Sequence, residues 1–181
     1  MLHCRRNDAA CWARPLSPRI VPYLIRAGFY GLYRIGFIQL DHPLITALVE
    51  RWLQETHTFH FLVGEATVTL QDVSALLGLL VDGEPIGGLD GGGDLQYLQG
   101  LCRELLGAEP TAQDFSGGRL KLTWLSLRFQ ELPDDAEEAT VQHYARAYIM
   151  QLIGGLVFSD KSQNLVKLMY LPFLRDFNQA G

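Results

Sequence analysis

Two histidines three residues apart, His57 and His60, are the most conspicuous candidates for chemistry in this chain, and Glu65 follows them closely. Imidazole and carboxylate groups are common protein ligands of zinc, so these three residues define a candidate metal site. The surrounding residues alternate as in a β-strand, however, and an odd separation on a strand places two side chains on opposite faces. No recognised zinc-binding spacing supplies a further ligand. The pattern therefore favours one buried, hydrogen-bonded histidine and one exposed histidine over a metal site.

A second group of ionisable side chains, Glu50, Arg51, Glu55 and Glu65, could supply an acid and a base. Arginine is suited to two-point pairing with a carboxylate, and Glu55 stands four residues after Arg51, a spacing that brings side chains together on a helix. We therefore expect Arg51 to pair with Glu55 or Glu65 and to hold a helix against the following hairpin. Trp52 is expected to be buried beside this pair.

The adjacent residues Asp160, Lys161 and Ser162 could imitate a catalytic Ser–Lys pair. They lie in a polar turn, where Asp160 or Ser162 is expected to cap the helix that follows. A transposase-type nuclease would need three acids on a central sheet, and here the candidate acids are expected at helix ends or in loops: Asp72, Asp82, Asp90 and Glu104. No complete catalytic set results, so we expect neither an enzyme nor a cofactor.

Positive charge is concentrated at the start of the chain. The first 34 residues contain six arginines and one acid, a charge of +5, whereas the whole chain carries −5, which leaves −10 for the remainder. This distribution fits a basic leader on an acidic domain. It also fits an arm that contacts nucleic-acid phosphates through Arg5, Arg6, Arg14 and Arg19. The negative overall charge argues against a generally basic nucleic-acid-binding domain.

Two further features restrict the class of protein. The three cysteines, Cys4, Cys11 and Cys102, form an odd number without a CxxC pair, which favours a reducing intracellular compartment. No apolar run approaches the roughly 20 residues that a membrane-spanning helix requires, so no membrane association is expected.

Hydrophobic periodicity predicts a mainly α fold: one helical domain, residues 19–181, after a basic flexible leader, residues 1–18. A small β-hairpin is expected at about residues 56–69, between helices. Thr69 and Asp72 resemble a capping box at the start of a helix that ends at Gly78. The buried stripe of that helix is expected to be Leu70, Val73, Leu76 and Leu77. The other helices are expected at residues 19–29, 30–37, 43–53, 95–106, 120–132, about 141–153 and 163–171. Gly107 is expected to end the helix at 95–106, and its inward residues are expected to be Leu98, Leu101, Cys102, Leu105 and Leu106.

Several words in the central part of the chain, ERW, ETHTFH, GE, TLQDV and LLGLLVDG, occur in an order that resembles the plant mobile domain. The flanking words VPYLIRAGF, LCRELLG, LKLTWL, ARAYIMQLIGGLVFSDKS and LPFLRDF extend the resemblance from about residue 20 to the end. The residues that carry this signature are expected to be structural: Glu50, Arg51, Trp52, Thr56, His57, Phe59, His60, Glu65, Asp72, Arg146, Asp160, Lys161 and Ser162.

The family pattern raises two further points. Its members are sometimes labelled aminotransferase-like, but pyridoxal chemistry needs a Schiff-base lysine with phosphate and ring partners, and Lys121, Lys161 and Lys167 lack that setting. The pattern also continues beyond Asp176 with a Tyr-Ser-Trp-Gly-like motif and a further helix. We therefore expect the C-terminal part of the domain to be missing, which would expose Phe173, Leu174 and Phe177 and permit self-association.

The plant mobile domain occurs in plant transposable elements and in related host proteins, including meristem-maintenance proteins and a long form of a phosphatase. The resemblance therefore implies a noncatalytic, nuclear interaction domain with nuclear protein partners, acting in transposon silencing, genome maintenance and meristem development. One alternative is a nucleic-acid-binding module that uses the arginine-rich arm with Arg51 or Arg146. A remoter one is a metal-dependent enzyme around His57, His60 and Glu65. No small-molecule substrate is indicated.

Overall fold

Helix α8 (Glu138–Leu152) lies at the centre of the fold, and every residue from Ala145 to Leu152 is buried. The computed structural model describes residues 9–12, 15–81, 94–158 and 164–178. Elements from both halves of the chain pack against α8. The C-terminal half of α8 is therefore surrounded by other elements, and its apolar residues form the centre of the core.

The elements before the centre of the chain are short. In chain order they are α1 (Ala9–Trp12), α2 (Val21–Arg26), α3 (Tyr30–Ile35), α4 (His42–Val49), β1 (Trp52–Leu53), β2 (Thr58–Phe61), β3 (Gly64–Ala66) and α5 (Leu70–Leu77). Strands β1, β2 and β3 form a three-stranded sheet between α4 and α5. The sheet is antiparallel, with strand order β1-β2-β3. The hairpin expected near residues 56–69 is therefore present, with one additional strand.

The second half builds most of the core. It contains α6 (Leu95–Leu106), a 3₁₀ turn (Ala112–Asp114), β4 (Phe115–Ser116), β5 (Arg119–Lys121), α7 (Leu122–Arg128), α8, a π-helical turn (Ile153–Val157), β6 (Leu165–Lys167) and a 3₁₀ helix (Leu168–Leu174). Strands β4, β5 and β6 form a second antiparallel sheet in that order.

The expectation of a mainly α fold with a single hairpin is wrong, because two three-stranded sheets make the fold mixed α and β. The helices expected at residues 120–132 and 163–171 each begin as a strand. Leu120 and Val166 are register partners in these two strands, and both side chains are buried. Periodicity does not separate a short apolar strand from a helix, and the pairing joins residues far apart in sequence. The helix expected at 43–53 similarly ends at Val49, since Trp52 and Leu53 pair with β2.

The predicted inward face of α6 is confirmed at every position: Leu98, Leu101, Cys102, Leu105 and Leu106 are all buried. Gly107 ends the helix with a φ of 65°, as expected of a left-handed C-terminal residue. Burial raises the pKa of the Cys102 thiol to about 12. Cys102 therefore acts as a small apolar side chain rather than as a reactive thiolate.

Arg146 of α8 joins the C-terminal ends of two other helices. Its Nη1 donates to the carbonyl oxygen of Leu105 at 3.3 Å, in the last turn of α6. Its Nε and Nη2 donate to the carbonyl oxygens of Leu174 and Arg175 at 2.8 and 3.2 Å, where the 3₁₀ helix ends. The guanidinium also lies over the ring of Phe177, with Cζ 4.9 Å from its centroid. This one side chain therefore satisfies carbonyls that the helix ends leave unpaired.

Arg146 is only 6% exposed. Burial lowers the pKa of its guanidinium, while the neighbouring Tyr23 and Glu104 oppose that effect and Arg175 adds to it. Arginine stays protonated in proteins. The core thus contains a permanent cation whose hydrogen bonds go to carbonyl groups and to the Gln142 side chain.

Replacing Arg146 with Lys is expected to lower the free energy of unfolding by about 3 kcal/mol, because a lysine cannot reach three divergent carbonyls and leaves buried acceptors unpaired. Chemical denaturation monitored by circular dichroism measures this change. The control is Arg103→Lys, since Arg103 forms an exposed ion pair with Glu109 and such a change costs less than about 1 kcal/mol. Equal losses for the two variants would contradict this role of Arg146.

Residues 41–81, which we term the hairpin lobe, contain no buried residue. The lobe comprises α4, β1, β2, β3 and α5, and the remaining described elements form the body. The capping box of α5 is confirmed, since Asp72 N donates to Thr69 Oγ1 and Thr69 N donates to the Asp72 carboxylate. The expected burial of its apolar stripe is wrong for Leu70 and Leu76, which are 66% and 71% exposed, whereas Val73 and Leu77 are half-buried and Leu77 packs against the core.

The lobe meets the body where α3 passes the end of α5. A Cβ on Gly31 would lie 2.8 Å from the Cα of Gly78, and it would also clash with the carbonyl oxygen of Leu77. Gly78 itself has a φ of 67°, which disfavours any other residue. Gly31 and Gly78 therefore allow two backbones to approach more closely than side chains would permit.

Gly31→Ala should separate α3 from α5 and destabilise the protein by about 2 kcal/mol, because the added methyl group overlaps fixed backbone atoms. Gly100 in α6 has open space around it, so Gly100→Ala should instead add roughly 0.5–1 kcal/mol. Thermal unfolding of both variants measures the contrast. A Gly31→Ala protein as stable as Gly100→Ala would show that this contact is dispensable.

Candidate functional site

The candidate site residues in the centre of the chain lie on the sheet of the hairpin lobe. His60 of β2 is the register partner of Glu65 of β3. His57 precedes β2 in a turn and has a φ of 55°, so it lies outside the strands. Both histidines are exposed, in contrast to the expectation that one would be buried. Within the described residues, no group of three or more His, Cys, Asp or Glu side chains could hold a metal ion.

Glu65 is bonded to threonine rather than to arginine. Its Oε2 accepts a hydrogen bond from Thr58 Oγ1 at 2.9 Å, and Thr58 Oγ1 lies 2.7 Å from Thr56 Oγ1. Thr67 Oγ1 donates to the carbonyl oxygen of His57 at 2.8 Å, which supports the left-handed conformation there. These bonds fix the turn before β2 relative to β3, so Thr56 and Glu65 stabilise the hairpin from its exposed face.

Arg51 does not form the expected ion pair with Glu55 or Glu65. Its Nη1 donates to the carbonyl oxygen of Ala47 at 2.9 Å, near the end of α4. Because α4 ends at Val49, the four-residue helical spacing between Arg51 and Glu55 does not apply. Glu50 and Glu55 are exposed beside it.

Aromatic rings cover one face of the same sheet. The ring of Trp52 lies 4.9 Å from that of Phe59, and Phe59 lies 6.4 Å from Phe61. Trp52 also has an edge contact with His57 at 6.2 Å. Trp52 remains 37% exposed, so its expected burial is wrong. The rings pack on one another instead of on the body.

The lobe exposes a large amount of apolar surface. Leu62 and Val63, the two residues of the turn between β2 and β3, are essentially fully exposed, at 108% and 99%. The other large exposed apolar side chains of the lobe are Leu44, Val49, Trp52, Leu53, Val68, Leu70, Leu76, Leu80 and Val81. Sequence reasoning missed the turn pair, although two apolar residues directly before Gly64, where a turn favours polar residues, gave a visible signal.

The charge of the lobe is one-sided. Residues 41–81 contain one arginine and five carboxylates, a formal net charge of −4. The carboxylates are those of Asp41, Glu50, Glu55, Glu65 and Asp72. Asp41 accepts a bond from Leu44 N in the first turn of α4, and Asp72 accepts bonds from the backbone N–H and the hydroxyl of Thr69. These hydrogen bonds from Thr69 lower the pKa of Asp72. The surface is therefore acidic and apolar.

The remaining candidate residues lie apart from the lobe. Arg146 is buried in the body, and Arg19 pairs with Glu138, with Nη2 3.6 Å from Oε2. Phe173, Leu174 and Phe177 were all expected to be exposed; Phe173 is exposed, whereas Leu174 and Phe177 are buried. The other candidates fall outside the described residues: Arg5, Arg6, Arg14, Asp82, Asp90, Asp160, Lys161 and Ser162.

A cleft of about 520 Å³ in the body was not anticipated from the sequence. The segment before α2 and the loop after α7 form its walls, and Tyr144, Tyr148 and Gln151 of α8 also line it. Burial raises the pKa of the Tyr148 phenol, whose hydroxyl donates to the carbonyl oxygen of Cys11 at 3.4 Å. Tyr148 thus stays protonated near neutral pH, and its hydroxyl acts as a hydrogen-bond donor.

Comparison with known proteins relates the chain to a group of plant proteins. The profile of the plant mobile domain matches residues 28–181. The chain is 46% identical over 181 residues to Serine/threonine-protein phosphatase 7 long form homolog of Arabidopsis thaliana, covering 99% of this chain and 13% of that protein. It is 45% identical over 180 residues to Protein MAIN-LIKE 2 of the same species, covering 99% and 26%. No solved structure matches the chain.

A third relative is Protein MAINTENANCE OF MERISTEMS of Arabidopsis thaliana, 36% identical over 181 residues, with 100% of this chain and 37% of that protein covered. The chain thus spans only 13–37% of the length of these relatives. Among the described residues, no helix combines the length and hydropathy needed to cross a bilayer. The profile match and the relatives confirm the resemblance seen in the sequence motifs: the chain belongs to the plant mobile domain family.

Proposed function

We propose that this domain is a noncatalytic interaction module and that its hairpin lobe recruits another protein. The observation that carries the proposal is the lobe itself, a folded segment of sheet and helices without a buried residue and with eleven large, exposed apolar side chains. Monomeric soluble proteins rarely expose contiguous apolar patches larger than a few hundred Å². Surfaces of this kind are typical of protein–protein contact sites.

The turn formed by Leu62 and Val63 is the best candidate for the centre of that contact. Exposed apolar area costs about 25 cal/mol per Å² relative to burial, so a partner that covers both side chains gains several kcal/mol. Interfaces commonly concentrate their energy in a few such anchors, surrounded by contacts that exclude water. Trp52 and Phe59, which pack on each other beside the turn, would extend the apolar centre.

The biological setting is proposed from the family. One relative carries the name Protein MAINTENANCE OF MERISTEMS. The plant mobile domain occurs both in plant transposable elements and in related host proteins. We place this domain in the nucleus, acting with nuclear protein partners in transposon silencing, genome maintenance and meristem development. The phosphatase name of another relative is not carried over, because this chain covers 13% of that protein.

The geometry favours protein over nucleic acid as the partner of the lobe. A surface with a net charge of −4 repels phosphates. Arg146 is buried, and Arg19 is bonded to Glu138, so neither presents a free guanidinium to a nucleic-acid backbone.

Proteins that the wild-type chain retains specifically from plant nuclear extract should be retained by the double variant Leu62→Ser, Val63→Ser in amounts lower by at least about 90%. This corresponds to a tenfold or greater loss of affinity. Both side chains project into solvent, so the variant should keep the wild-type unfolding temperature. Quantitative mass spectrometry of the retained proteins measures the loss.

The matched control is Leu127→Ser, which removes an exposed leucine from the body, 71% exposed on α7. It should retain the wild-type set of partners. Unchanged retention by the lobe variant, or the absence of any specifically retained protein for the wild type, would refute the proposed role of the lobe.

A further inference from the structure

We propose that the free edge of β3 accepts an extended segment of the partner as a fourth strand, antiparallel to β3 like the other strands of this sheet, in which apolar residues alternate with lysine or arginine. This inference rests on the proposed function of the lobe and specifies the chemistry of its partner. It follows from the register of the sheet, the identity of the edge residues and the distribution of charge.

The register shows which backbone groups of β3 form no hydrogen bond with β2. Phe61 pairs with Gly64 across the two-residue turn, His60 with Glu65, and Phe59 with Ala66. His60 N donates to the carbonyl oxygen of Arg51 at 2.8 Å, so His60 directs its backbone groups towards β1. Hydrogen-bonded and non-hydrogen-bonded pairs alternate in antiparallel sheets. His60 and Glu65 therefore form a non-hydrogen-bonded pair, and the N–H and C=O of Glu65 point away from β2, to the open edge.

Of the devices that usually prevent strand addition, this edge has a short strand of three residues and the charge of Glu65. In the described part of the chain β3 is the outer strand of its sheet, and Gly64, Glu65 and Ala66 are all exposed. Thr69, the last residue before α5, is extended, with φ and ψ of −94° and 166°. Protective edges carry lysine, proline or a bulge. This one contains a single charged residue, Glu65, and neither lysine nor proline.

The two faces of the sheet determine the pattern of the added strand. Trp52, Phe59 and Ala66 are consecutive register partners, so the aromatic face includes the small residues Gly64 and Ala66 of the edge strand. Large apolar side chains of a neighbouring strand would find room above these two residues and contact the rings. The opposite face carries His60 and Glu65, so the alternate positions of the added strand face a carboxylate.

Charge complementarity identifies those alternate residues as basic. The lobe has five carboxylates and one arginine, and Arg51 is directed to the Ala47 carbonyl. Opposite charges across neighbouring strands stabilise the pair, and like charges destabilise it. Strand addition supplies main-chain hydrogen bonds for affinity and alternate side chains for specificity. A segment with lysines or arginines opposite Glu65 and valine-like residues over the aromatic face meets both requirements.

The test uses a labelled peptide of sequence Lys-Val-Lys-Val-Lys-Val-Lys and the full chain, with binding measured by fluorescence anisotropy at low salt. The counterpart in which every lysine is glutamate should bind at least about tenfold more weakly, a difference of about 1.4 kcal/mol. Glu65→Gln should weaken binding of the lysine peptide and leave the protein folded, since Glu65 is exposed.

Backbone methylation separates strand addition from mere charge attraction. The residue opposite Glu65 must present its own N–H to the edge, so methylating the backbone nitrogens of the lysines should abolish binding. Methylating the backbone nitrogens of the valines, which face away from β3 in this register, should leave binding intact. Equal binding of the two methylated peptides, or equal binding of the lysine and glutamate peptides, would overturn the inference.

The two proposals fail in distinguishable ways. Partner retention that depends on Leu62 and Val63, combined with no effect of lysine backbone methylation, would leave the lobe as the recruiting surface and remove strand addition at β3. If the variant Leu62→Ser, Val63→Ser retained partners as the wild type does, the lobe would not be the recruiting surface.

Discussion

The packing of the body depends on a buried cation, the guanidinium of Arg146. Its hydrogen bonds go to backbone carbonyl groups and to the Gln142 side chain rather than to a carboxylate. The guanidinium of Arg146 meets carbonyl groups at the ends of α6 and the 3₁₀ helix, together with the ring of Phe177. A buried charge is costly unless its surroundings replace water. Here the negative ends of helices do so, and the planar fork of arginine reaches groups on three sides. The chain segments around residues 105, 146 and 174 are thereby held in one arrangement, which also orients the buried face of α8.

That arrangement leaves the hairpin lobe outside the core. The lobe is attached through the close approach of Gly31 and Gly78, and its own structure is held by local contacts: the Asp72 capping box, the Thr58–Glu65 bond and the packing of Trp52 on Phe59. Segments with few buried contacts open more readily than a core. A partner that covers the turn and the β3 edge would stabilise this segment, so recruitment and ordering of the lobe would be coupled.

The parts of this structure that sequence reasoning anticipated are those determined by local pattern. The α6 stripe follows a period of 3.6 and the α5 cap rests on Thr69 and Asp72, and both are confirmed. The misses have a common cause in nonlocal information. Leu120 pairs with Val166 across most of the second half of the chain, and nothing local to either residue specifies that partner. Likewise, the stripe of α5 has a buried pattern, but burial requires a surface to pack on, and the body provides none for Leu70 or Leu76. His60 was placed on a strand correctly, whereas His57 lies in the turn before β2, and the exposure of both histidines depended on the same missing contact.

Hydrogen exchange, measured residue by residue on the isolated chain, tests most directly the division into an Arg146-centred body and an uncovered lobe. Amides of α6 and the buried half of α8 should exchange only through global unfolding, whereas amides of β2, β3 and α5 should exchange through local opening, faster by orders of magnitude. If the lobe amides were as strongly protected as those of α8, the lobe would be part of the core and the account would be wrong.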